Sequence, residues 1–235
     1  MITERRGAVK EKYEKQLKES SLAFSAGFLD VLAGLIISSV SSDLVSNPWI
    51  IGVLPLVLTV SGSVSGLFAG NLSTMINVGT VRVDRLASGP HLKGLIAAVI
   101  ALNVFAAMIG GGLSFLVGLA SGFTGGILAM NVFILTFLIT SYLTMPLTIV
   151  IASISYRRGW DPDVMTYPFL STLADILSCG IYVLSLSFVI SADSRAVLIG
   201  EISNAGLICV SILLFLVLYD RPVSLRIVRE GAASV

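Results

Sequence analysis

Asp175 is the residue with the clearest potential for chemistry, because it lies inside a long apolar segment, 164–190. A charged side chain at the centre of a membrane costs several kcal/mol, with estimates from about 2.5 upward, so such residues usually face an ion path or a watery cavity. Asp175 lies roughly 16 Å along a helix that begins near Val164, close to the middle of a hydrocarbon core of about 30 Å. We predict that it lines an ion path. The alternative is a protonated carboxyl, or one satisfied by a neighbouring helix.

Other polar residues accompany Asp175 within the apolar runs. Ser171 and Thr172 lie one turn before it, and Asp30 is a second acid, in the first apolar run. The second run, 49–81, contains many glycines, serines, threonines and asparagines. Small and polar residues of this kind are typical of membrane helices that face protein or water instead of lipid.

The composition predicts a protein that crosses the membrane several times. Of 235 residues, 55% are hydrophobic and only 12% are charged, against about 25% charged residues in soluble domains; the mean hydropathy is +0.95. A net charge of +1 gives no indication of nucleic-acid binding. Cys179, Cys209 and the single histidine, His91, share no metal-ligand spacing. No nucleophile or phosphate-binding motif indicates an enzyme.

We predict an all-α fold: a polytopic membrane bundle of about six helices. A charged, amphipathic helix is predicted for 1–21 and a tail for 220–235. The predicted spans are 22–40, 49–81, 92–119, 127–156, 164–190 and 197–218. We expect the third span to be broken at Gly110, Gly111 and Gly112.

The positions of the basic residues predict the orientation. With six spans, both termini lie on one side, and all 15 lysines and arginines except Arg195 fall on that side. Because cytoplasmic loops are enriched in Lys and Arg, we expect both termini in the cytoplasm. The expected location is the plasma membrane of a prokaryotic cell.

Two motifs resemble the membrane domain of the MgtE-type magnesium channels and of solute carrier family 41. In the second span, Pro55 is followed by Gly62 and then by the segment GNLSTMINVG, residues 70–79. In the fifth, Pro162-Asp163 is followed by Pro168 and, seven residues later, by Asp175. The resemblance covers residues 54–79 and 160–178 specifically, and the rest only in general character.

The resemblance implies a protein that conducts divalent cations, chiefly Mg²⁺, with Mn²⁺ and Co²⁺ as further candidates. It implies a pore between two such domains, hence a homodimer or a heterodimer with a paralogue, with Asp175 as the pore aspartate. Ser63 stands where the family has asparagine, which leaves a different ion selectivity open. The cytosolic regulatory domains of bacterial MgtE have no counterpart in this sequence, and the sixth span is additional.

A conducting Mg²⁺ site requires oxygen atoms that act on a hydrated ion, because Mg²⁺ gives up its water reluctantly. Asp175 supplies the charge in this interpretation. The neutral oxygens come from Ser171, Thr172, Thr74 and Asn77. Asp30 is either a second cation site or a proton-linked residue, and the resemblance supports neither role. A proton- or sodium-coupled carrier of another metal or small solute, and a non-conducting subunit of a larger assembly, are the alternative functions.

Overall fold

The computed structural model describes residues 27–41, 46–81, 89–160, 162–190 and 194–219, together with residues 17, 20, 21 and 25. Regular structure in this part of the chain is entirely helical, as predicted. It consists of a 3-10 turn, Leu119–Ser121, and the α-helices α1 (Asp30–Ser38), α2 (Trp49–Asn77), α3 (Pro90–Gly118), α4 (Phe123–Arg157), α5 (Pro162–Ile190) and α6 (Ser194–Leu218).

Five of the described helices, α2 to α6, are long and apolar enough to cross a membrane. The longest, α4, has 35 residues and therefore extends about 52 Å at about 1.5 Å per residue. A hydrocarbon core of about 30 Å is shorter than that, so such a helix tilts or projects beyond the core. These helices confirm the predicted polytopic helical bundle.

The first predicted span, 22–40, contains α1, but residues 22–24 and 26 lie outside the described part of the chain. Most of the predicted amphipathic helix, 1–21, and the whole of the predicted tail, 220–235, also lie outside it. The other five predicted spans coincide with α2 to α6, with helix ends that differ from the predicted ends by up to four residues.

The expected break in the third span is wrong, because α3 continues through Gly110, Gly111 and Gly112 without interruption. Two of these glycines instead make room for side chains of α4. A Cβ atom added at Gly110 would collide with the ring of Phe133, and one at Gly111 would lie 2.9 Å from Ile134 Cδ1. The glycines therefore permit close packing of two helices, as small residues commonly do in membrane proteins.

Helix α4 lies at the centre of the bundle and contacts α2, α3, α5 and α6. Its buried Phe133 and Phe137 stack with ring centroids 5.8 Å apart. Helix α2 packs against α3 and α5, while α1 packs against α5. A buried hydrogen bond of 2.7 Å joins α5 to α2: the hydroxyl of Tyr182 donates to the backbone carbonyl of Ile50. The bundle thus places the two motif-bearing helices, α2 and α5, side by side.

Candidate functional site

Helix α2 has one apolar face inside the bundle and one small, polar face outside it. Ser63, Gly70, Thr74 and Asn77 are all exposed, and their spacing of seven, four and three residues places them on the same side of the helix. Ser63 donates a hydrogen bond of 2.9 Å to the carbonyl of Thr59, and Thr74 donates one of 2.9 Å to that of Gly70. We call these four residues the polar face of α2.

A polar face on a membrane-spanning helix requires a polar or proteinaceous neighbour. Hydrocarbon offers no partner to hydroxyl and amide groups, so such residues usually face protein or a water-filled cavity. The hydroxyl hydrogens of Ser63 and Thr74 are used within the helix, which leaves oxygen lone pairs directed away from it. A row of such oxygens is suited to the water shell of a cation.

The structure places the two predicted intramembrane acids, Asp30 and Asp175, on helices that pack against each other. Asp175 is half-buried in α5, and Asp30 is exposed at the start of α1, which packs against α5. The sequence had indicated each acid separately. Their proximity creates a region of concentrated negative charge, which attracts cations.

The two remaining predicted ligands on α5 differ in their surroundings. Ser171 is partly exposed and lies one turn from Asp175, whereas Thr172 is buried, with 5% of its surface exposed. Thr172 lines an apolar cavity between α1, α4 and α5. Among the described residues, no three side chains of the types His, Cys, Asp and Glu gather into a metal-binding group.

A buried polar cluster was missed by the sequence reasoning. Asn103 of α3 is fully buried, and neither atom of its amide has a hydrogen-bond partner in the described part of the chain. It faces a cavity of about 10 Å³ together with Ser65 of α2 and Ser141 and Thr144 of α4. That volume suits a single water molecule. The sequence did contain one indication of this cluster, since Asn103 carries the one side-chain amide within the apolar run of α3.

A pair of buried asparagine side chains joins α4 to α6. The side-chain nitrogen of Asn204 donates to the side-chain oxygen of Asn131 at 3.0 Å. Tyr142 and Ser211 form a further hydrogen bond between the same helices. The sixth span is therefore fixed to the bundle by polar contacts as well as by apolar packing, and such contacts are worth about 0.6 kcal/mol on average between membrane helices.

Comparison with known families identifies the chain. The family model for MgtE, described as a divalent cation transporter, matches residues 54–185, which is more than half of the chain. The chain belongs to the MgtE family of divalent cation transporters. No curated protein and no solved structure matches it significantly.

The region that matches the MgtE family begins within α2 and ends within α5. It contains the polar face of α2, Ser171, Thr172 and Asp175. Helix α1, with Asp30, and helix α6 lie outside it. The family match thus covers the part of the chain in which both sequence motifs occur.

Proposed function

We propose that this MgtE-family protein conducts Mg²⁺ along a path between two copies of the chain, and that Asp175 binds the ion. The polar face of α2 is the observation that carries this proposal. Its residues are exposed on a single copy, although a membrane-spanning helix cannot present such a face to lipid without cost. A second copy that apposes the same face would enclose a polar path, with a two-fold axis as in most dimers.

The chemistry of this path suits a hydrated divalent cation. Two copies would place two Asp175 carboxylates and two polar faces around one axis. The carboxylates supply charge, while Ser63, Ser171, Thr74 and Asn77 supply neutral oxygens that act on the water shell. Because Mg²⁺ exchanges its water slowly, contacts through water permit passage where direct coordination would hold the ion. Thr172 belongs to the wall of the apolar cavity, so we leave it out of the proposed ion-binding set.

We further propose that both termini lie in the cytoplasm and that the protein lies in the plasma membrane. With six spans, all lysines and arginines except Arg195 fall on the side of the termini, and cytoplasmic loops are enriched in these residues. Labelling of single cysteines introduced near each end, in intact and in permeabilised cells, tests this orientation.

Replacing Asp175 with asparagine should remove most Mg²⁺ flux into proteoliposomes, because the variant lacks the charge that binds the ion. We expect a loss of at least about tenfold, which corresponds to about 1.4 kcal/mol. A matched control is Glu201→Gln, which neutralises an exposed acid on α6, a helix that packs chiefly against α3 and α4. Undiminished flux through a folded, dimeric Asp175→Asn variant would show that Asp175 does not bind the conducted ion.

A coupled carrier is the second candidate function, and the proximity of Asp30 to Asp175 favours it. Two neighbouring acids hold a shared proton more readily than one acid does. In such a carrier, flux would fall when the proton or sodium gradient is dissipated. Flux that follows the Mg²⁺ gradient alone would support the channel.

A further inference from the structure

A cavity of about 370 Å³ lies between α1, α4 and α5. Its volume is within the range of ligand-binding pockets, about 300–1,000 Å³. Most of its wall is aliphatic or aromatic. The lining residues are Leu29, Ile151, Ile154, Ser155, Arg158, Trp160, Phe169, Thr172, Leu173 and Ile176. A hydrocarbon chain is the kind of group that such a wall accommodates.

One end of the cavity carries a cation and an indole ring. The guanidinium of Arg158 lies 5.1 Å from the centroid of the Trp160 ring, within the range of a cation–π contact. Arg158 is exposed, and no carboxylate among the described residues forms an ion pair with it. The exposed guanidinium can therefore donate hydrogen bonds to a phosphate.

The position of this end relative to the membrane follows from the sequence. Arg157 and Arg158 terminate α4, and tryptophan and arginine are typical of the boundary between lipid and water. In the orientation proposed above, this boundary is the cytoplasmic one. Anionic lipids are concentrated there, and basic pockets between membrane helices bind their head groups.

We propose that the cavity binds an anionic phospholipid, with one acyl chain between α1, α4 and α5 and the head-group phosphate on Arg158. The apolar wall matches the acyl chain, and Arg158, which forms no ion pair with a described carboxylate, matches the phosphate, so the two ends of the cavity fit the two ends of one molecule. The lipid would contact Thr172, three residues from Asp175, and would lie between the helices that carry the two acids. Lipid composition would thereby influence the arrangement of α1 and α5.

Quenching of Trp160 fluorescence by brominated lipids tests this site directly. The chain has two tryptophans, so a Trp49→Phe background leaves Trp160 as the only tryptophan. In mixed membranes, brominated phosphatidylglycerol should quench Trp160 more strongly than brominated phosphatidylcholine at the same fraction. Unlabelled phosphatidylglycerol should reverse the difference by competition. Equal quenching by the two lipids, as expected if a chain segment or a second copy fills the cavity, would overturn the proposal.

Arg158→Gln should reduce the preference for phosphatidylglycerol by about fivefold, the factor expected for one cation at an anionic surface. Arg157→Gln is the matched control, because Arg157 is also exposed and adjacent but does not line the cavity. An equal loss in both variants would indicate only a general surface charge and would refute the site. Because fluorescence reports on lipid binding without ion flux, this result is independent of the role of Asp175. The fluorescence experiment alters a buried residue, Trp49. Retention of lipids by the unmodified chain in native mass spectrometry therefore provides a second measurement that does not depend on that substitution.

Discussion

At the scale of single residues, the pairing of Asp30 with Asp175 is the feature with the most direct consequence for transport. Asp30 lies on a helix that packs against the helix of Asp175, so its negative charge should raise the local concentration of divalent cations. We expect Asp30→Asn to raise the half-saturating Mg²⁺ concentration by about three- to tenfold, or about 0.6–1.4 kcal/mol. Maximal flux should change much less. Concentration-dependent uptake into proteoliposomes measures both quantities.

Glu201→Gln serves as the control here too, because it removes one acid from a different helix. If the half-saturating concentration rose equally in Asp30→Asn and Glu201→Gln, the effect would come from overall charge. If it changed in neither, the proximity of the two acids would have no role in cation binding. Either result would show that Asp30 does not contribute to cation binding at Asp175.

The individual acids were predictable from the sequence, whereas their pairing was not. A carboxylate inside an apolar run can be recognised from the sequence alone, because the free-energy cost of a charged group in the membrane does not depend on the details of the fold. The relative position of Asp30 and Asp175 depends on how α1 packs against α5, over a separation of more than a hundred residues. Asn103 was missed for the same reason, since Ser65 and Ser141, which line the same small cavity, belong to two other helices.

At the scale of helices, the apolar runs predicted α2 to α6, because a segment of about 20 apolar residues in a membrane must satisfy its backbone internally. The three consecutive glycines of the third span led to the wrong prediction of a break in that helix. In water, a run of three glycines weakens a helix through backbone entropy. In α3, the same glycines allow α4 to approach, so tertiary packing outweighs local propensity at Gly110 and Gly111.

The closest approach of α3 to α4 provides a test of this packing. A Cβ atom at Gly118 would collide with the backbone carbonyl of Gly125 and lie 2.7 Å from the Cβ of Ala129. Backbone cannot move aside as a flexible side chain does, so Gly118→Ala should cost about 1–3 kcal/mol of unfolding free energy. Unfolding in mixed micelles, followed by circular dichroism, measures the difference.

Gly112→Ala is the matched control, because a Cβ atom there meets nothing within 4 Å. Alanine favours a helix over glycine by about 1 kcal/mol, so this variant should be neutral or slightly more stable. A Gly118→Ala protein as stable as the Gly112→Ala protein would show that α3 and α4 are not in such close contact.

At the scale of the whole molecule, a single copy has a polar face on α2 that the described helices leave exposed. The resemblance of the two motifs predicted family membership, and the match over residues 54–185 confirms it. The surface on which two copies would meet could not be derived from the motifs alone. The proposed surface depends on the burial pattern of α2, in which Ile50, Val53 and Val57 are buried while Ser63, Thr74 and Asn77 are exposed.

Anomalous diffraction from crystals of the full chain soaked in Mn²⁺ tests the central claim most directly, because Mn²⁺ shares the oxygen preference of Mg²⁺ and scatters anomalously. We predict a peak on a two-fold axis, between the Asp175 carboxylates of two copies and beside Thr74 and Asn77. A dimer with Asp175 directed toward lipid, or with Mn²⁺ bound only at sites remote from it, would contradict the proposed ion path.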